Sequence, residues 1–480
     1  MAQTIIGRTA EKKALARLLE SDQPELLAIY GRRRVGKTYL IKNYYAGNMS
    51  FVCSGEAGGS MHTQLANFQQ QLNIWFPKHT QLQPPTTWQQ AFATLRNCLE
   101  NTTTKQKKVL FFDQLPWMDT HKSGFLSAFG YFWNMYLSER TDLLVVVCGS
   151  AASWMIKKIV QNKGGLHNRI TRKMRLPPFT LEETKQYLQY RKIHFSDYQI
   201  LQLYMVMGGI PHYLNAVQRG HSLHQTINHC CFDANGIWKD EFQNLYASLF
   251  KHHERHIAVI TALAKKNQGL SRNEIIAKTD GISGGNLTLV LAELVESGMV
   301  AALQPYGKKK KQRLYRLMDA FSLFYFRFMT AGISKNDWLS ISKSHKYLSW
   351  CGYAFETICM LHIAQIKAAL GIAGIHTRYS SWQQPGDGER AGAQIDLLLD
   401  RDDDTVHLCE IKFSNALFTI NKAYKTTLQN KIAAFQQVLP PRKALLLTFI
   451  TTYGVADNAY RQQLVDAEIT MKAMFHSGTR

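Results

Sequence analysis

The sequence predicts an α/β chain in three parts: a helix-covered parallel sheet over residues 1–220, helices with a β-hairpin over 221–330, and an α+β domain over 331–480. Three observations carry this. Residues 1 to about 220 alternate continuous apolar runs with helical segments, as parallel strands buried on both faces do. Three helical stretches and two short strands with a basic tip follow. Further on, two apolar strands flank Arg401–Asp404 and carry charged residues at matched positions. A chain of 480 residues exceeds one compact core.

In order, the candidate strands of the first part are Leu26–Tyr30, Phe51–Cys53, Val109–Phe112, Leu143–Cys148 and Lys173–Leu176. Helices Thr63–Trp75, Trp88–Leu99 and Phe125–Ser138 lie between them. A helical tail covers Leu181–Arg191 and Asp197–Met207, breaks at Gly208-Gly209-Ile210-Pro211 and resumes at His212–Gln218. Between the first strand and the first helix stands Gly31-Arg32-Arg33-Arg34-Val35-Gly36-Lys37-Thr38, a match to G-x-x-x-x-G-K-[ST]. Gly31 and Gly36 let the backbone curl so that successive N–H groups point at phosphate oxygens. Lys37 adds a point charge, Thr38 a hydroxyl for Mg²⁺, and the helix N-terminus favours the anion. The cofactors expected are ATP and Mg²⁺.

Val109-Leu110-Phe111-Phe112-Asp113 is the strand expected to end in the second half of that site, with Asp113 holding the metal opposite Thr38. Gln114 follows, where a glutamate would polarise the attacking water. Glutamine orients water but is a poor proton acceptor, so hydrolysis is expected to be slow or partner-activated, unless Asp119 or Glu56 serves instead. Ser150, after Leu143–Cys148, is the candidate sensor of the γ-phosphate. Arg169 and Arg172 are candidates for an arginine finger toward a neighbouring subunit, and a homo-oligomer is expected on that basis.

Gly7-Arg8 with Glu11, the phosphate loop, Asp113-Gln114-Leu115-Pro116-Trp117-Met118, Gly149-Ser150-Ala151-Ala152-Ser153-Trp154-Met155 and Gly208-Gly209-Ile210-Pro211-His212-Tyr213-Leu214 together resemble the archaeal-type prokaryotic branch of the AAA+ ATPases. The resemblance implies a P-loop NTPase parallel sheet with a helical lid. Members usually carry Asp-Glu at the position of Asp113-Gln114, and this chain departs there.

Net charge is +22 with a pI near 9.6, which favours polyanions, with DNA the expected partner. The longest apolar runs, such as Leu143–Cys148, fall far short of the roughly 20 residues that span a bilayer. No charged n-region with an apolar core opens the chain, and the eight cysteines form no C-x-x-C pair. A cytoplasmic protein with reduced thiols is expected.

His256–Lys265, a helix opened by the capping box Ser271-Arg272-Asn273-Glu274, and Ser283–Ser297 precede strands Met299–Gln304 and Leu314–Leu317. This is the layout of a winged helix. Its third helix has no arginine to read bases, whereas the hairpin offers four lysines from Lys308 to Lys311, with Arg313 and Arg316. Six neutralised phosphates give a log–log salt slope of about −5. Backbone contacts with little sequence reading are expected.

In the last part, Ala393–Leu399 and Val406–Lys412 read as a hairpin about Asp403. That register sets Asp396 opposite Glu410, with Lys412 on the same face. Two carboxylates suit Mg²⁺, and a lysine stabilises an attacking hydroxide. The arrangement resembles the PD-(D/E)xK nucleases, with Ile395 in place of the usual proline. The resemblance implies a further acidic residue at Glu356. Expected is an ATPase coupling nucleotide state to DNA binding and Mg²⁺-dependent cleavage. The alternatives are a nucleotide-gated switch with an inactive nuclease-like domain, or a DNA-binding regulator.

Overall fold

The computed structural model describes residues 4–77, 83–100, 106–150, 154–160, 164–166, 168–250, 252–279, 281–331, 338–386 and 392–476. Within the expected motifs, Ala151–Ser153 and His167 lie outside the described residues. The chain divides into two compact units, residues 1–178 with 296–298, and residues 179–295 with 299–480.

The first unit is built on five parallel strands, β1 (Glu25–Tyr30), β2 (Met49–Ser54), β3 (Lys108–Asp113), β4 (Leu143–Gly149) and β5 (Arg172–Arg175), in the order β2-β3-β4-β1-β5. Their sequences explain this. Every residue of β4 and the four central residues of β1 are buried, as all-apolar runs covered on both faces must be. One face packs on helices Met61–Trp75, Trp88–Glu100 and Phe125–Met135, through a core that includes Phe51, Phe68, Trp88, Phe92, Phe112 and Phe129. All strands run the same way, so the ends of β1, β3 and β4 share one edge. Ligands of open α/β sheets bind at that edge, where strand order reverses.

The second unit begins with helices Leu181–Tyr190 and Asp197–Met207. The break expected at Gly208-Gly209 has a steric cause. Gly208 has φ +59°, and a Cβ on Gly209 would lie 1.9 Å from the Phe179 carbonyl oxygen. Phe179 N donates to Gly209 O at 2.6 Å across this close approach. The helix expected to resume over His212–Gln218 covers only Pro211–Leu214. The Leu214 carbonyl accepts from Val217 N at 3.2 Å, a tightened three-residue bond, and from Arg191 Nη1 at 2.7 Å.

Helices His253–Ala264, Arg272–Lys278 and Gly284–Glu296 follow. Ser271 caps the second, with the reciprocal Ser271–Glu274 bonds of a capping box. Strands β6 (Leu270–Ser271), β7 (Val300–Leu303) and β8 (Leu314–Leu317) make an antiparallel sheet in the order β6-β8-β7. The aromatic stretch is a helix, Ala320–Phe328, with Phe321, Phe324 and Phe328 buried. No helix among the described residues is long and apolar enough to cross a membrane.

The C-terminal sheet contains β9 (Thr377–Gln384), β10 (Ala393–Arg401), β11 (Thr405–Lys412), β12 (Ala444–Thr451) and β13 (Ala467–Thr470), ordered β13-β12-β11-β10-β9. The hairpin β10–β11 is antiparallel, while β11–β12 and β12–β13 are parallel. Helix Lys422–Gln436 makes the crossover from β11 to β12 and buries Leu428 and Phe435 in the domain core.

Candidate functional site

The phosphate loop leaves β1 through Gly31, whose φ is +139° and whose missing Cβ would meet the Leu176 carbonyl oxygen at 2.5 Å. No L side chain fits there. Gly36, at φ +92°, turns the chain into helix Lys37–Tyr44. The first amides of that helix have no intrahelical acceptor and are the donors an anion requires. Arg32, Arg33, Arg34 and Val35 form the loop between the glycines, with Arg34 left-handed at φ 69°.

Lys37 is buried, and its Nζ donates to Gly31 O at 2.9 Å and Arg32 O at 2.8 Å. Burial lowers its pKa, opposed in part by the charge of Asp113. A desolvated ammonium folded onto its own loop is matched to incoming anionic oxygens. Thr38 Oγ1 donates to Asp113 Oδ2 at 2.7 Å. The hydroxyl and carboxylate are hard oxygen donors side by side, and they fit Mg²⁺.

Gln114 is left-handed at φ 49°, its N donates to Asp113 Oδ1 at 2.9 Å, and its Oε1 accepts from Ser150 Oγ at 3.1 Å. The structure thus brings Asp113, Gln114 and Ser150 together at the ends of β3 and β4. Burial raises the Asp119 carboxyl, and Glu56 Oε2 accepts from Asn67 at 2.7 Å. Arg169 and Arg172 are exposed.

Sequence reasoning assigned Arg8 no mechanical role. It is buried and left-handed at φ 56°, and its Nη2 donates to Val35 O at 3.1 Å, bracing the loop from outside. The Gly7-Arg8 motif with Glu11 was the available signal.

Residues 6–217 match the model of an ATPase domain predominantly from Archaea. The ATPase domain has the P-loop fold, as the sheet order and loop geometry require. A Walker-type ATPase of Pyrococcus abyssi is similar in structure, at 18% identity and a TM-score of 0.52, over 68% of this chain and 96% of that one. An uncharacterized protein of Methanocaldococcus jannaschii is 22% identical over 417 residues, covering 85% of this chain and 88% of the relative.

Beyond the ATPase domain, the carboxylates of the C-terminal sheet form a second cluster. The β10–β11 pairing ends at Leu397 opposite Cys409, so Asp396 and Glu410 each stand one residue beyond the last paired position. On its other edge β10 shifts register against β9 between Ile395 and Leu398, the stretch that contains Asp396. Lys412 Nζ lies 3.6 Å from Glu410 Oε2 and 4.9 Å from the centre of the Tyr424 ring.

Two partners from helix Lys422–Gln436 were missed: Lys431 Nζ donates to Glu410 Oε1 at 2.6 Å and Tyr424 Oη to Oε2 at 2.7 Å. They stand seven residues apart, two turns on one face, and that spacing was the legible signal. Glu356, on helix His345–Leu361, is pushed up to about 7 by burial and by the charge of Asp396, with Arg316 opposing. Arg316 Nη2 lies 3.1 Å from Glu356 Oε2 and 3.3 Å from Thr357 Oγ1.

This corrects the expectation that Arg316 is a phosphate contact of the hairpin. It is buried, and its charge is spent on Glu356. The arrangement also departs from a metal site. Among the described residues no group of three or more His, Cys, Asp or Glu side chains is set to hold an ion. Lys431 and Arg316 stand where a cation would, so Asp396, Glu410 and Glu356 as arranged do not fit Mg²⁺.

Proposed function

We propose that the chain is a nucleotide-controlled DNA-binding ATPase, with domains over residues 1–220, 221–330 and 331–480. ATP is held by Gly31–Thr38, with Lys37 and the loop amides on its phosphates. Thr38 and Asp113 hold Mg²⁺, which when bound neutralises charge on the β and γ phosphates. The observation that carries this reading is the 2.7 Å Thr38–Asp113 contact beside a buried Lys37. Gln114, tied to Ser150, orients water without taking its proton, so turnover is slow and raised by a partner. The exposed Arg169 and Arg172 suit a finger offered to a second copy of the chain.

Three helices and the β6–β8 sheet support a winged helix whose basic hairpin contacts DNA backbone. Helix Gly284–Glu296 contains no arginine, in keeping with little sequence reading. The test is DNA affinity at two salt concentrations with and without ATP, in wild type and Lys37→Met. Affinity that ignores both nucleotide and Lys37 defeats the coupling.

A second reading, DNA cleavage, is favoured by Asp396 and Glu410 on adjacent strands, each just past the last paired residues, and by Lys412 at 3.6 Å from Glu410. It requires that Lys431 and Arg316 release their carboxylates. Plasmid nicking with Mg²⁺ that disappears in Asp396→Ala and Lys412→Ala supports it. An intact plasmid in every condition leaves the domain as a binding module.

A further inference from the structure

The second unit contains a cleft of about 190 Å³ that joins the basic hairpin to the acidic cluster. Tyr306 and Lys308 from the β7–β8 connection, Trp382 and Gln383 from β9, and Gln268 and Asp396 line it. The walls are tied together. Tyr306 N donates to Ser381 O at 2.9 Å, and Gln268 Nε2 donates to Gln394 Oε1 at 2.7 Å. Gln394 in turn donates to Asp396 Oδ1 at 2.5 Å.

The chemistry of this lining is specific. Tyr306, half-buried, offers apolar contact to a planar ring system, and the buried Trp382 backs it, both rings packing on Phe435. Carboxamides present a donor and an acceptor side by side, the pattern that matches a base edge. Lys308 is exposed at the mouth and supplies one phosphate contact. The volume admits a single ring system and excludes a duplex. A wholly basic groove would read only backbone, whereas glutamines beside a half-buried tyrosine suit a base withdrawn from its stack.

We propose that this cleft takes one unpaired nucleotide of a DNA strand whose duplex lies on the hairpin. The inference rests on the DNA-binding reading and adds to it a preference for unpaired ends. It is tested on the full chain, without divalent metal, using a labelled blunt duplex and the same duplex carrying a short unpaired tail. The tailed duplex is expected to bind about tenfold tighter, the scale of one paired carboxamide contact to a base edge. Gln383→Ala and Gln268→Ala, both at exposed positions, should erase most of that preference and leave blunt-duplex affinity unchanged. Equal affinity for the two duplexes in wild type, or a preference that survives both substitutions, overturns the cleft. Binding of neither duplex overturns the DNA-binding reading itself, and is a distinct result.

Discussion

Replacing Lys37 with methionine separates a side chain that binds ligand from one that holds the fold. Lys37 is 5% exposed, and its ammonium makes hydrogen bonds of 2.9 and 2.8 Å to loop carbonyls. Losing two charge-assisted bonds costs about 1.5–3 kcal/mol each. Against that, the substitution relieves a buried cation whose desolvation costs several kcal/mol. Methionine preserves most of the apolar stem. The two effects nearly cancel, so thermal unfolding without nucleotide should shift by only a few degrees. Nucleotide binding has no such compensation. One charged contact to phosphate, worth about 2–4 kcal/mol in a desolvated site, corresponds to a 30- to 1,000-fold loss of ATP affinity. Calorimetric titration with ATP and thermal scans on the same preparations read both quantities. Wild-type ATP affinity in a folded Lys37→Met protein would refute the assignment of the loop.

Further outcomes follow from single contacts. Gly209→Ala puts a methyl 1.9 Å from the Phe179 carbonyl oxygen, so thermal unfolding should show a loss above about 3 kcal/mol or no folded protein. Glu356 keeps its proton to about pH 7 when folded and loses it near its ordinary value of 4.5 when unfolded. The folded state therefore binds more protons between those values, and stability falls by up to about 3 kcal/mol as pH rises through that window. Denaturant titrations across the range should show the slope, and Glu356→Gln should flatten it. Arg316→Met leaves a buried carboxyl without its cation and should destabilise by about 3 kcal/mol at pH 8, and by much less at pH 5, where Glu356 is protonated. With Arg316 buried, five hairpin cations remain for DNA, and the log–log salt slope should approach about −4.5; a slope near zero would remove the hairpin from the interface.

Strand and loop of the ATPase domain were legible because their signals are local. Apolar runs placed the first four strands, with the short basic Lys173–Leu176 marking the fifth, and two glycines with Lys37 and Thr38 marked the loop, since its backbone must curl within eight residues. The hairpin of β10 and β11 was legible for a similar reason. Its turn sets the register, which holds as far as Leu397 opposite Cys409. What proved less legible was how far short elements extend. The helix after Pro211 ends at Leu214, where the backbone passes to three-residue bonds such as Val217 N to Leu214 O and Arg191, twenty-three residues earlier, adds a side-chain donor to the same carbonyl. No periodicity in that stretch could report such a contact.

The sequence by itself determined where backbone geometry and residue type act together over a few positions: the phosphate loop, the capping box at Ser271, the paired carboxylate strands. Only the tertiary structure decided which charges meet. Arg316 in β8 and Glu356 in a helix forty residues on neutralise each other, and Lys431 closes on Glu410 from a helix beyond the hairpin. Arg8 reaches the Val35 carbonyl across twenty-seven residues. The reason is electrostatic. The cost of burying a charge depends on what the fold brings within about 4 Å of it, and that distance is not a property of the chain in sequence.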